Sequence, residues 1–121
     1  MHKQLIISGV INAFLAVALG TFAAHGLKQS LGAYELGIWQ TAVDYQMAHA
    51  LGLILIGLLA NNLNINLNKP GWLMLCGIIL FSGSLYILSL TGIKALGMIT
   101  PIGGTCFLIA WIWVAVSVYR S

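Results

Sequence analysis

Several side chains of this sequence stand where hydrocarbon, and not water, is expected to surround them. His49, Asp44 and Tyr45 fall within an apolar run from Thr41 to Ala60, His25 closes an earlier run, and Ser82, Tyr86 and Ser89 lie in a third. Polar and ionisable groups at membrane depth are costly and have to face protein, so each is either glue between helices or part of a site. His49 lies about eight residues, or roughly 12 Å, into its run, beyond comfortable snorkelling range for an imidazole. There it could relay a proton, take part in a quinone or ion site, or ligate haem together with His25; equally, a neutral imidazole could hydrogen-bond another helix. Two histidines without a third convergent ligand fall short of a zinc pattern, so no metal and no cofactor is expected.

Helical spacing groups these residues. Thr41, Asp44, Tyr45, Ala48, His49 and Gly52 share one face at i, i+3, i+4 intervals, small and polar, and that face is expected to meet protein. Ser82, Tyr86 and Ser89 follow i, i+4, i+7 and read as interhelical hydrogen bonds, as do Ser8 and Asn12. Asp44 reads as a carboxylate at the interface near a helix start, and His25, followed by Gly26, as a cap of the first helix. Gly103 and Gly104, one turn after Pro101, allow close helix approach, as does Gly52. They form no phosphate loop, because the Lys-Ser/Thr pair is missing.

The elements that carry these groups follow from composition. Of 121 residues, 60% are apolar and 6% charged, far below the roughly 25% charged residues of a soluble domain. Mean hydropathy is +1.00. A soluble fold, a disordered tail and a nucleic-acid binder are excluded, since the net charge of +3 comes from five scattered cations. A hydrocarbon layer of about 30 Å needs roughly 20 apolar helical residues, and four stretches qualify: 5–24, 41–60, 71–91 and 99–119. A membrane barrel would alternate polar and apolar residues, and none of the four does. The expectation is an all-α, integral membrane four-helix antiparallel bundle forming one domain over residues 1–121.

The punctuation agrees. The Asn-rich stretch from Asn61 to Pro70 reads as a linker, and Thr100-Pro101 as an N-cap followed by proline at the first helical position. Trp39, Trp72 and Tyr119 fall near span ends, whereas Trp111 and Trp113 sit deeper, in lipid-facing or packing roles. Between spans one and two, Leu27, Leu31, Tyr34 and Ile38 make a helical stripe, read as a short interfacial amphipathic helix or as the frayed start of span two. The first apolar run exceeds the usual length of a signal-peptide core and is interrupted by Asn12, so it is read as a retained span. Cys76 and Cys106 enter the membrane from opposite faces, about 12 Å apart axially, too far for a disulfide. Lys3, Lys69 and Arg120 on one side against Lys28 and Lys94 on the other favour cytoplasmic termini.

Four motifs occur in order along the chain: Ala23-Ala24-His25-Gly26-Leu27, the run from Thr41 through Asp44-Tyr45-Gln46 to His49-Ala50, Phe81-Ser82-Gly83-Ser84-Leu85-Tyr86, and Thr100-Pro101-Ile102-Gly103-Gly104. Together they resemble the YgdD-like family of small four-span inner-membrane proteins, which has mitochondrial transmembrane relatives. The resemblance covers essentially the whole chain. It implies four spans and a plasma-membrane location, and it implies no activity. It also implies that the position of Asp44 accepts basic as well as acidic residues.

For function, the favoured expectation is a non-enzymatic structural or accessory protein that sits in the lipid bilayer and associates with itself, as a homo-oligomer, or with a larger membrane complex. The alternatives are a small proton-coupled transporter using His49 and Asp44, or a redox-complex subunit using His25 and His49. In an up-down bundle the end of span one, the start of two, the end of three and the start of four meet at one face. His25, Asp44, Tyr45, His49, Ser82, Tyr86 and Thr100 should therefore gather in one half of the membrane. His49 is expected to contact Tyr86 or Ser82 on the third span, or else the first span.

Overall fold

The computed structural model describes residues 2–121. It contains four long helices, α1 (Lys3–Phe22), α2 (Ala33–Leu63), α3 (Asn68–Thr91) and α4 (Thr100–Arg120), each long and apolar enough to cross a membrane. Strands are absent among the described residues. Helices are what hydrocarbon allows, because a helix satisfies its backbone N–H and C=O groups within one segment.

The breaks between helices follow local chemistry. The chain leaves α2 through Asn64, whose φ of 55° is the left-handed geometry that asparagine tolerates, and its N–H returns to the Ala60 carbonyl. Most of the stretch read as an Asn-rich linker is thus helical: α2 runs to Leu63 and α3 begins at Asn68, with Pro70 in its first turn. Gly92 ends α3 at φ 71°, and its N–H bonds the Leu88 carbonyl. A short 3₁₀ turn, Lys94–Met98, leads into α4.

No separate interfacial helix lies between the first two spans. α1 runs on through a π turn, Ala23–Leu27, the chain reverses over residues 28–32, and α2 begins at Ala33. The stripe from Leu27 to Ile38 is therefore split across two elements, and its second half is the start of span two. At 1.5 Å per residue the 31 residues of α2 extend for about 46 Å, well beyond a hydrocarbon layer of about 30 Å. His25 lies exposed in the π turn and caps nothing: the C-cap of α1 is Ala23, and Gly26 does not take a positive φ. Thr100 is the first residue of α4, after Ile99 at the N-cap, and makes no side-chain cap bond.

The helices are antiparallel in sequence order, but they do not close into a square. α1 packs along α2, α2 along α3, and α3 along α4, while α1 approaches the α3 backbone only marginally. The outer helices are correspondingly bare. Half of the apolar window of α2 is buried, against 17% for α1 and 22% for α4. The helices pack as a chain in sequence order, with α2 and α3 in the middle. The main core joins Leu5, Leu53, Ile56, Met74, Ile78 and Phe107, and a smaller core gathers Ala23, Leu27, Trp39 and Val43 near the α1–α2 turn.

Lipid is as apolar as these side chains, so burial alone does not drive helix association. Close backbone approach and interhelical hydrogen bonds do. A Cβ on Gly9 would come within 2.6 Å of the Ala50 carbonyl oxygen, and one on Gly103 would overlap the Phe81 backbone nitrogen. Gly104 is different: a Cβ there meets only the Phe81 ring, at 3.8 Å. We expect Gly103→Ala to lower the unfolding free energy by about 1–3 kcal/mol by forcing α3 and α4 apart, and Gly104→Ala to leave it within about 0.5 kcal/mol. Reversible unfolding of the two variants in detergent checks the contrast.

Candidate functional site

The bonded polar groups run from the end where α1 ends, α2 begins, α3 ends and α4 begins to the middle of the bundle, where Asn12, His49 and Trp111 lie. They form two clusters on either side of α2 and one smaller pair.

The first cluster joins α1, α2 and α3 through Gln46. The Tyr86 hydroxyl donates to Gln46 Oε1 at 2.6 Å, Gln46 Nε2 donates to Asn12 Oδ1 at 3.1 Å, and Asn12 Nδ2 donates to the Ser8 carbonyl at 2.9 Å. Trp39 packs edge-on against the Tyr86 ring at 4.7 Å, and its indole N–H donates to the Leu19 carbonyl at 2.9 Å. Nearby, the Ser82 hydroxyl donates to the Ala42 carbonyl at 2.8 Å, a second tie between α2 and α3.

The second cluster joins α2 to α4 through His49. Trp111 Nε1 donates to His49 Nε2 at 3.1 Å, and His49 Nδ1 lies 2.8 Å from the Tyr45 carbonyl oxygen. An indole N–H can only donate, so Nε2 carries a lone pair and Nδ1 the proton. The ring is the neutral tautomer, with both nitrogens engaged. It stacks on Phe107 with centroids 3.6 Å apart. Tyr45 and Phe81 complete the aromatic cluster with tilted contacts, Tyr45–Phe81 centroids at 4.6 Å and Phe81–Phe107 at 5.6 Å. Beside these rings lies a cavity of about 410 Å³.

The smaller pair ties α3 to α4: the Ser84 and Thr100 hydroxyls are 2.7 Å apart. Thr100 is spent on this contact and on the Leu96 carbonyl, which is why it caps no helix.

The expected cluster is thus split, and one contact is corrected. His49 bonds neither Tyr86 nor Ser82 nor the first span; its partner is Trp111 on α4. The reason is register. His49 follows Gln46 by three residues, which turns it about 60° around α2, away from α1 and α3 and towards α4. The face expected to meet protein is turned as well. Thr41, Asp44, Tyr45 and Ala48 are exposed, whereas Trp39, Ala42, Val43, Gln46, His49 and Leu53 are buried. Asp44 accepts a 2.8 Å bond from Gln40 one turn earlier and joins neither cluster. His25 is exposed and has no bond to His49, and with both His49 nitrogens engaged neither is free to ligate iron in this arrangement. Among the described residues no group of three or more His, Cys, Asp or Glu side chains could hold a metal ion. Gly52 receives the Trp111 ring, which a Cβ would meet at 3.0 Å.

Sequence reasoning passed over three participants. Gln46 carried a signal, since a neutral amide deep in a span is the residue type that hydrogen-bonds across helices. Trp111 carried a weaker one, an indole too deep for the interface. His2 carried none: it is 2% exposed, and its Nε2 accepts the Leu67 N–H at 3.3 Å, tying the start of α1 to the α2–α3 turn. We expect Gln46→Leu, which strands both Asn12 and Tyr86 in hydrocarbon, to cost about 1–3 kcal/mol. Tyr86→Phe should cost roughly 0.6 kcal/mol, since the Gln46 amide keeps its bond to Asn12. Unfolding of both variants in mixed micelles orders the two losses.

Comparison with known proteins places this architecture. The family model described as a protein of unknown function (DUF423) matches residues 19–104. The UPF0382 membrane protein YwdK of Bacillus subtilis (strain 168) is 51% identical over 120 residues, which cover 98% of each chain. A UPF0382 membrane protein of Staphylococcus saprophyticus is 48% identical over 118 residues, again covering 98% of each. Another, from Staphylococcus aureus (strain bovine RF122), is 49% identical over 118 residues, 98% of this chain and 97% of the relative. No solved structure matches. With relatives that share about half of its residues from end to end, and four helices fit to cross a membrane, this chain is a membrane protein of the DUF423 family.

Proposed function

We propose that this protein is a non-enzymatic structural or accessory protein of the plasma membrane, with both termini cytoplasmic, that associates with itself or with a larger membrane complex. The observation that carries the reading is the way the polar side chains within the bundle bond to one another. Gln46 is shared between Asn12 and Tyr86, both His49 nitrogens are engaged, and Ser82 and Ser84 are paired. Such a network holds helices in register. Proton coupling instead needs a group that exchanges partners or protons along a path.

Asp44 and His49 are poorly placed for a shared proton path. Five residues apart on one helix, they point about 140° away from each other, and Asp44 is exposed beside Gln40. Association finds support in Gly83, in the second half of α3, where a Cβ would meet nothing within 4 Å. A small residue with open space beside it lets a second helix approach closely. The motif order that resembles the YgdD-like inner-membrane proteins, and the bias of Lys3, Lys69 and Arg120 to one side, support the location and orientation.

Two measurements test the reading. Native mass measurement of the tagged full chain, extracted in a mild detergent, should give a stoichiometric homo-oligomer or one stoichiometric partner; a lone monomer overturns it. Lipid vesicles containing the protein should dissipate a pH gradient no faster than protein-free vesicles. A proton flux that His49→Ala abolishes decides for transport instead.

A further inference from the structure

The cavity beside His49 has a chemistry that packing does not explain. It runs from Pro101 to Trp111, about 15 Å along α4 at 1.5 Å per residue. Its volume of about 410 Å³ falls in the usual range for small-molecule sites. Tyr45, Phe81 and Trp111 lend partly exposed rings to its lining, and the buried Phe107 also lines it. Three further features point to a ligand. Tyr45 is 44% exposed, and its hydroxyl takes part in none of the side-chain bonds that join the helices, although it lies well inside the length of α2. Gly104 lines the cavity without being needed for packing, because a Cβ there would meet nothing closer than 3.8 Å. The cavity also has a lipid-side wall, Leu108, which is 67% exposed.

We propose that this cavity binds a membrane-soluble ligand made of a flat, carbonyl-bearing ring on an apolar tail, the chemistry of isoprenoid quinones. The partly exposed rings of Tyr45, Phe81 and Trp111 offer stacking and edge contacts to a flat π-system, which a flexible acyl chain could not use. The Tyr45 hydroxyl donates to a ring carbonyl, an acceptor that hydrocarbon does not otherwise supply. The absent side chain at Gly104 leaves room for the ring, and the tail leaves past Leu108 into the bilayer. The site needs no net charge, in keeping with a neutral His49. Binding alone is proposed, with no electron transfer.

The test uses the full chain in nanodiscs of phosphatidylglycerol and phosphatidylcholine, with a decyl-substituted benzoquinone as probe and decanol as the ringless control. Quinones quench indole fluorescence, and probe merely dissolved in lipid quenches exposed tryptophans in linear fashion. The expected result is a saturable component at one probe per chain on top of that linear background, unaffected by decanol. Tyr45→Phe should weaken it about 3- to 10-fold, the loss of one hydrogen bond. Gly104→Leu, whose Cβ would meet only the Phe81 ring at 3.8 Å and whose side chain fills the cavity, should abolish the saturable component while leaving the melting temperature of the unliganded protein unchanged. Should that variant fold poorly, Leu108→Phe fills the cavity from the lipid side and should do the same. Purely linear quenching of the wild type, displacement by decanol, or saturable quenching that survives the cavity-filling variant overturns the proposal.

Discussion

The Gln46 side chain is the point on which this bundle depends, because it is where three helices meet in a medium that offers no other hydrogen-bond partner. In water, Asn12, Gln46 and Tyr86 could each be solvated separately and would hold nothing together. In hydrocarbon each must find another, and only one arrangement of α1, α2 and α3 brings a phenol to one end of the Gln46 amide and a carboxamide to the other. Rotating α2 by one residue, about 100°, would break both bonds at once. The amide thereby sets the rotation of α2, and every other residue of α2 is placed by that choice.

Several features follow from this rotation. With Gln46 towards α1 and α3, His49 turns to α4 and meets Trp111 and Phe107. Asp44 turns outwards and takes its bond from Gln40 on its own helix. Ala42 presents its carbonyl to Ser82, and Trp39 reaches the Leu19 carbonyl. That carbonyl sits where α1 passes into its π turn, and it is shared with the Ala23 N–H. A carbonyl oxygen has two lone pairs, so Leu19 accepts the indole N–H from the neighbouring helix beside its own helical bond.

The glycines complete the arrangement. Amide and hydroxyl bonds between helices need short side chains to reach, so the backbones have to come close. Gly9 against Ala50 and Gly103 against Phe81 bring α1 to α2 and α4 to α3. The result is two tight pairs joined through the α2–α3 contact, with the outer helices mostly turned to lipid. The backbones of α2 and α4 stay apart in this arrangement, and the aromatic cavity lies between them, over Phe81 of α3.

Much of the architecture was legible in the sequence, because it rests on one-dimensional quantities. Span count follows from the length of apolar runs against the thickness of hydrocarbon, and antiparallel order follows from short connections. What the sequence did not carry was rotation. The period-3.6 pattern that locates a buried face in a soluble protein is nearly absent when lipid and protein interior are equally apolar. The face of Thr41, Asp44 and Ala48 therefore looked inward by polarity and lies outward. Helix ends were equally ambiguous: Thr100 has the residue type of a cap, yet its hydroxyl is held by Ser84 across the bundle. Whether His49 meets the first, third or fourth helix depends on a turn of about 60° relative to Gln46. That angle is decided only when both ends of the Gln46 amide find partners on other helices, contacts separated by 34 and 40 residues along the chain.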